Sequence, residues 1–270
     1  MNKKIILFFV IFFSSLYSLE KQPWFGDVYE FNFISKYTFF RFKDVEAAII
    51  QPDSVSNNNL LYFDLSFSPT LQWSIDSDLE FIDTPRQEFS FRSVAFQARY
   101  LAKDDIIGDP VSITLGSNFR VVSTDSLKDV STLYHANVDF EINLAFGKEF
   151  SNFDSWRLRA WGYGAVGIAN RGSPWIRGRF SLEGNIHDER RWAFFIDAMK
   201  GYGKEEVVDI YNFHGYGKIR QSNVDVGFRY GYSLGVMGSL SFEYVRTLLA
   251  RRCIKDVNYF SISYLLPFSF

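Results

Sequence analysis

The chain closes on "NYFSISYLLPFSF", residues 258–270, in which Phe260, Ile262, Tyr264, Leu266, Phe268 and Phe270 share one parity. A period of two puts all six on one face of a β-strand. A strand that stops on an aromatic ring needs an apolar environment for that whole face. The same comb runs upstream. "VYEFNFISKYTFFRF" sets Tyr29, Phe31, Phe33, Tyr37 and Phe39 on one side, and "LLYFDLSFSPTLQWSI" does so with Leu61, Phe63, Leu65 and Phe67, then Leu71, Trp73 and Ile75 beyond Pro69. "VSITLGSNFRVV" repeats it with Val111, Ile113, Leu115, Phe119 and Val121, and "YHANVDFEINLAF" with Tyr134, Val138, Phe140, Ile142, Leu144 and Phe146.

Counting these combs and the Gly, Pro, Asp and Asn clusters between them predicts about twelve strands. They fall near residues 28–42, 60–68, 71–82, 88–101, 111–121, 132–148, 155–169, 175–187, 191–200, 223–234, 239–248 and 257–270. The count is even, and a spacing of about 21 residues per strand with its connection suits tilted membrane strands of about 9–11 residues plus loops. A soluble β-sandwich also alternates, but it turns its apolar faces into a shared core. A membrane barrel turns them out to lipid and keeps the polar parity for the lumen.

Composition separates the two. Phe, Trp and Tyr make up 19% of the 270 residues, with 30 Phe, while charged residues stay at 22%. That aromatic share exceeds what a water-soluble domain needs. "MNKKIILFFVIFFSSLYSLEKQPW" opens with Lys3 and Lys4, an apolar run Ile5 to Phe13, and small residues up to Ser18. It reads as an export signal over 1–18, cut after Ser18, ahead of one barrel domain over 19–270, because the run is short of the roughly 20 residues of a spanning helix. Cleavage removes Lys3 and Lys4 and leaves 27 basic residues against 31 acidic ones. Such a balance offers no basic face for nucleic acid. Cys253 is the lone cysteine, so no internal disulfide forms, and three scattered His give no metal-ligand spacing. Neither a metal nor any other cofactor is expected.

The expected fold is therefore all-β, a transmembrane antiparallel up-and-down β-barrel. With the first strand running outward, the longest connections, 43–59 and 201–222, fall outside, and turns at Pro69-Thr70, 149–154 and 235–238 fall inside. The connection 102–109 is long for an inner turn. The final strand also resembles the assembly signal of bacterial outer-membrane barrels, which typically ends in alternating apolar residues and a terminal Phe. That resemblance implies a location in the outer membrane, an insertion signal in Tyr264, Leu266, Phe268 and Phe270, and the barrel assembly machinery as a partner. The stretches "QPWFGDVYEFNF", "SPTLQWSIDSDLEF", "NRGSPWIRGRF" and "YLLPFSF" are similar to uncharacterised outer-membrane β-barrel proteins of Chlamydiae-like intracellular bacteria; this likeness transfers no functional residue.

Function should be written on the lumen parity. His135, Asn137, Asp139, Glu141 and Asn143 fall there on the sixth strand. Arg157, Arg159, Trp161 and Tyr163 do so on the seventh, and Arg177, Arg179, Ser181, Glu183 and Asn185 on the eighth. Folding the hairpins about their turns sets Glu141 opposite Trp161 and Trp161 opposite Glu183, with Arg159 in diagonal reach of both carboxylates. It also sets Asp78 against Arg92, Arg179 diagonal to Asp197, and Arg229 diagonal to Glu243. Acids and guanidiniums that alternate around a wall either satisfy one another or line a path, since a buried charge is costly unpaired.

Three functions follow as expectations. The first is a narrow channel or facilitator for small polar or charged solutes, lined by Glu141, Arg159, Arg179 and Glu183. A closed structural or host-contact envelope barrel, working through its long loops, is the second. The third, an outer-leaflet lipid or peptide hydrolase, would need His135 or His214 beside a Ser or Asp, with Asp209 the nearest candidate; no His-x-Ser pattern is present. The repeated "GYGK" at 201–204 and 215–218 suits a loop that folds back into a pore or contacts a ligand, or one that simply packs on its neighbours. Arg251, Arg252 and Lys255 suit the phosphates of outer-membrane lipid and lipopolysaccharide.

Overall fold

The computed structural model describes residues 21–152 and 155–269. The expected signal segment 1–18 and the terminal Phe270 lie outside them. Among the described residues twelve antiparallel strands close a barrel in strict sequence order. They are β1 Phe31–Phe42, β2 Ser56–Thr70, β3 Trp73–Thr84, β4 Gln87–Lys103, β5 Ser112–Val122, β6 Val138–Asn152, β7 Ser155–Ala169, β8 Trp175–Ile186, β9 Arg190–Gly201, β10 Ser222–Ser233, β11 Ser239–Arg251 and β12 Asn258–Phe268. β12 pairs with β1 from Phe31↔Phe268 to Arg41↔Asn258, so the sheet has no free edge. The up-and-down barrel read from the alternation is the barrel observed.

The outward parity is apolar. Phe96, Phe119, Phe140, Ile142, Phe146, Val166, Phe180, Phe194, Phe242 and Phe260 are all exposed on it. Aromatic pairs lace it between strands, as in Phe31 with Phe268 at 5.4 Å and Phe31 with Phe67 at 4.4 Å. An apolar wall of this kind is the lipid face of a membrane barrel. The two ends differ. Segments 43–55, 123–137 and 202–221 cross one end, whereas 71–72 and 187–189 turn at the other. Long loops mark the external end and short turns the periplasmic one.

One strand departs from the sequence reading. β6 begins at Val138 and not at 132, and it runs to Asn152 through the segment 149–152 expected to turn. "YHANVDF" continues the alternating comb, but Tyr134 points inward and is buried, not toward lipid. Segment 123–137 is thus a third long external loop, and His135 and Asn137 belong to it and not to a strand. β7 carries a second local change. A register shift between Phe150 and Ser151 sets Ser151 against Trp156, so Trp156 and not Arg157 joins Arg159 at the lumen.

The lumen has two storeys. At the external ends of β1, β2 and β3 the inward residues turn apolar: Phe40, Phe42, Leu60 and Ile82 are buried. Loop residues Val45, Val130, Leu133, Val208, Ile210, Phe213, Tyr216, Ile219, Ile254 and Val257 complete one cluster with them. The loops knit by bridges Val45↔Ile254, Ala48↔Val208 and Glu205↔Ile219. The external mouth is closed by this apolar cap. The "GYGK" repeat makes the fold-back: a Cβ on Gly203 would sit 2.2 Å from the Lys218 carbonyl oxygen, and one on Gly217 would sit 2.8 Å from those of Arg171 and His135. Tyr216 is wholly buried and donates to the Val130 carbonyl at 2.8 Å.

Candidate functional site

Below the cap the lumen is a polar, paired interior. Nearest the loops, Arg120 meets Asp78 at 2.6 Å and Glu80 at 3.2 Å, and Tyr134 donates its hydroxyl to Glu80. Arg92, fully buried, lies 3.5 Å from Glu80 and stacks over the Tyr134 ring at 4.7 Å. The expected Asp78–Arg92 pair is therefore replaced by Asp78–Arg120 and Arg92–Glu80, because Asp78 lies opposite Ala95. Asp139, opposite Arg120 across β5 and β6, is buried and accepts from the Ala136 amide at 3.3 Å.

Glu141 binds Trp175 through Nε1 at 2.9 Å and pairs with Arg177. It faces Gly167, not Trp161, because β6 runs on to Asn152 and pairs there with Ser155, which moves its partner on β7 six residues along the chain. Trp161 does reach Glu183, donating at 2.9 Å, although Ser181 is the residue directly opposite it. Arg159 faces Glu183 in register but pairs with Glu149 at 2.6 Å, so it serves neither expected carboxylate. The Arg179–Asp197 and Arg229–Glu243 pairs form, each directly opposite and not diagonal. Arg179 Nε donates to Asp197 at 2.8 Å, and Arg229 meets Glu243 at 2.7 Å. Lys36 joins Glu243 at 3.1 Å.

Two features escaped the sequence reading. The first is a vestibule of about 240 Å³ at the periplasmic end, walled by the cations Lys36, Arg159, Arg179, Arg191 and Arg229, the rings of Trp156, Trp161 and Trp192, and Glu183. Arg191 has no carboxylate partner among the described residues and lies 5.8 Å over the Trp156 ring. The second is the segment Lys21–Trp24, lodged in the lumen beside the vestibule, which Lys21 and Gln22 help to line. Arg99 donates to the Gln22 carbonyl at 2.8 Å and Thr114 to that of Pro23 at 2.7 Å, while Trp24 donates to Asp105 at 2.9 Å. Lys21 is buried, 3.6 Å from Asp197. The doublets Phe39-Phe40, Leu60-Leu61 and Phe81-Ile82 were the available signal for the cap, since each makes both parities apolar. Nothing in "LEKQPWF" signalled entry into a lumen.

The histidine pairings that a hydrolase would need are not formed among the described residues. His135 stacks on Trp175 at 3.9 Å and meets the Gln221 amide at 3.2 Å. Burial, followed by the nearby Arg177 charge, pushes its pKa down to about 3. His214 meets only the Asn212 carbonyl, and Asp209 accepts instead from the amides of Tyr211 and Asn212. Cys253 is buried in the cap, and burial drives its thiol pKa up to about 12.

No protein-family model matches the chain, and no curated protein does so. Solved structures do. An outer-membrane channel from Pseudomonas putida F1 superposes with a TM-score of 0.64 at 9% identity, over 93% of this chain and 100% of the other. The KdgM porin follows with a TM-score of 0.52 at 10% identity, over 88% and 99% of the two chains. The translocator domain of the autotransporter NalP from Neisseria meningitidis gives 0.51 at 10% identity, over 90% of each. At such identities the likeness is one of fold: this chain has the architecture of integral outer-membrane β-barrels.

Proposed function

We propose that the protein is an integral outer-membrane barrel acting as a narrow, gated channel or facilitator for small polar or charged solutes. The vestibule carries this reading. Cations, a carboxylate and three indoles converge there on a space open enough for a small solute. A purely structural interior would fill that volume with side chains, because protein interiors pack to crystal-like density. Glu141, Glu183, Asp139, Asp197 and Glu243, with Arg159, Arg179, Arg229 and Trp161, would line the route. Its mixed signs suit a selective, low-conductance path better than a wide pore. Tyr264, Leu266, Phe268 and Phe270 would direct insertion by the assembly machinery, and an origin in Chlamydiae-like bacteria accords with the phrasing of the chain.

Planar-bilayer recording of the purified protein tests the reading. Discrete small conductance steps are expected, with Arg191→Glu shifting the reversal potential toward cation preference. Silent bilayers, together with liposomes that stay impermeable to ions and small sugars, would refute it. The apolar closure of the external mouth favours one second reading, a closed envelope barrel that works through loops 43–55 and 202–221. In that case shortening the loops alters envelope or host contact and leaves permeability untouched.

A further inference from the structure

The outer wall carries charges that the lumen does not use. Register places Asn258 between Arg41 and Arg246 across β1, β12 and β11. Farther out, Ser222 lies between Lys200 and Arg251 across β9, β10 and β11. Lys200, Ser222 and Arg251 line a groove of about 350 Å³ together with Arg220 and Arg252. Arg41, Lys200, Arg246 and Arg251 are exposed, and among the described residues none of these four pairs with a carboxylate. Lys200 has only the Tyr202 ring, at 5.5 Å.

Outward cations are costly at the middle of a bilayer and cost little at its interface. At about 3.3 Å per residue and a tilt of about 40°, Arg41 stands ~25 Å above Phe31, at the top of the apolar band. The charges thus sit at headgroup height on the external side. Directly beneath the Arg41–Asn258–Arg246 tier, Phe228, Phe242, Tyr244, Phe260 and Ile262 line an outward apolar groove of about 330 Å³. Tyr244↔Phe260 lies two residues below Arg246↔Asn258 on the same pair of strands. An acyl-sized groove surmounted by two tiers of unpaired cations matches one kind of molecule.

We infer that the β9–β1 face is a binding site for a phosphorylated, multiply acylated lipid of the outer leaflet. Arg41, Arg246, Lys200 and Arg251 take the phosphates, and the aromatic groove takes the acyl chains. Guanidinium and ammonium donors give short, strong bonds to phosphate oxygens, and each methylene of an acyl chain buried against the groove adds to the binding. This inference rests on the reading of the barrel as an outer-membrane protein.

The test uses the full mature chain refolded in detergent. Heat-modifiable gel mobility reads the barrel, and native mass spectrometry reads lipid adducts with bisphosphorylated lipid A, the same lipid stripped of phosphate, and inorganic phosphate as competitor. A stable adduct with the phosphorylated lipid is expected, about tenfold weaker in Arg246→Gln/Arg251→Gln and unchanged in Lys103→Gln at the opposite rim. Lys200→Gln carries the same test if the double variant does not fold. Equal adducts for wild type and variants, equal binding of the dephosphorylated lipid, or displacement by millimolar phosphate would overturn the site. Wild-type protein without folded mobility would instead count against the barrel reading, and the site would fall with it.

Discussion

Glu243 shows how much a single lumen residue holds. It is buried between Lys36 at 3.1 Å and Arg229 at 2.7 Å. Removing one partner of a buried pair leaves an uncompensated charge, at a cost of about 3–5 kcal/mol. Glu243→Gln should lower the unfolding free energy of the vesicle-inserted barrel in urea by an amount of that order, and Lys36→Met/Glu243→Leu should recover part of the loss. A double variant as weak as the single one would mean that the charge left on Arg229, and not that on Lys36, carries the loss. His135 supplies a pH term. Its folded pKa, near 3, lies below the unfolded value of about 6.5. The unfolded chain therefore takes up a proton that the folded chain refuses, and stability falls as pH drops from about 6.5 toward about 3. His135→Phe, which keeps a ring against Trp175, should flatten thermal stability across that window. An unchanged slope would place the acid sensitivity elsewhere. At this scale the sequence was legible as to which residues face inward and less so as to partners. Arg179–Asp197 and Arg229–Glu243 were found because the connections that join their strands, 187–189 and 234–238, are short and fix the register. Glu141 was assigned to Trp161 because β6 runs on to Asn152, and a hairpin that folds later in the chain moves every partner along the strand.

Among the elements, the strands were the readable part and the loops were not. Period-two apolar runs define β-strands wherever one face meets a uniform solvent, lipid included. Segment 132–137 misled for the same reason: Tyr134 and Val138 keep the period although the backbone has already turned inward. The cap is a tertiary object, assembled from four loops whose apolar residues have no local period, and only the apolar doublets at the ends of β1–β3 hinted at it. In a channel, this cap would have to open for anything to pass. Ala48 and Val208 are bridged, with Ile49 donating to the Val208 carbonyl at 2.9 Å, and so tie the first long loop to the last. Ala48→Cys/Val208→Cys should form a disulfide across that bridge. Conductance should then vanish under oxidation and return with reductant, with the buried Cys253 taking no part. Steady current through the oxidised protein would show that the cap does not gate.

Across the whole molecule, two obstructions lie in series, the loop cap outside and the Lys21–Trp24 segment within. The inner one is held by three hydrogen bonds worth about 1 kcal/mol net each, besides the Lys21–Asp197 contact. Opening against roughly 3–4 kcal/mol leaves the unobstructed state at about a per cent or less. A mature chain that starts at Gly26 should accordingly show an open probability higher by the order of 10²-fold in bilayers. Shortening loop 202–221 should raise it separately. Two independent closures multiply their probabilities, so the logarithms of the two gains should add in the combined variant. If either deletion alone yields the full current, the other element is not a barrier, and solute reaches the vestibule by a route around it. A combined gain larger than the sum would mean instead that the cap and the inserted segment hold each other in place, through Met199, Tyr163 and the Glu141 cluster that lie between them.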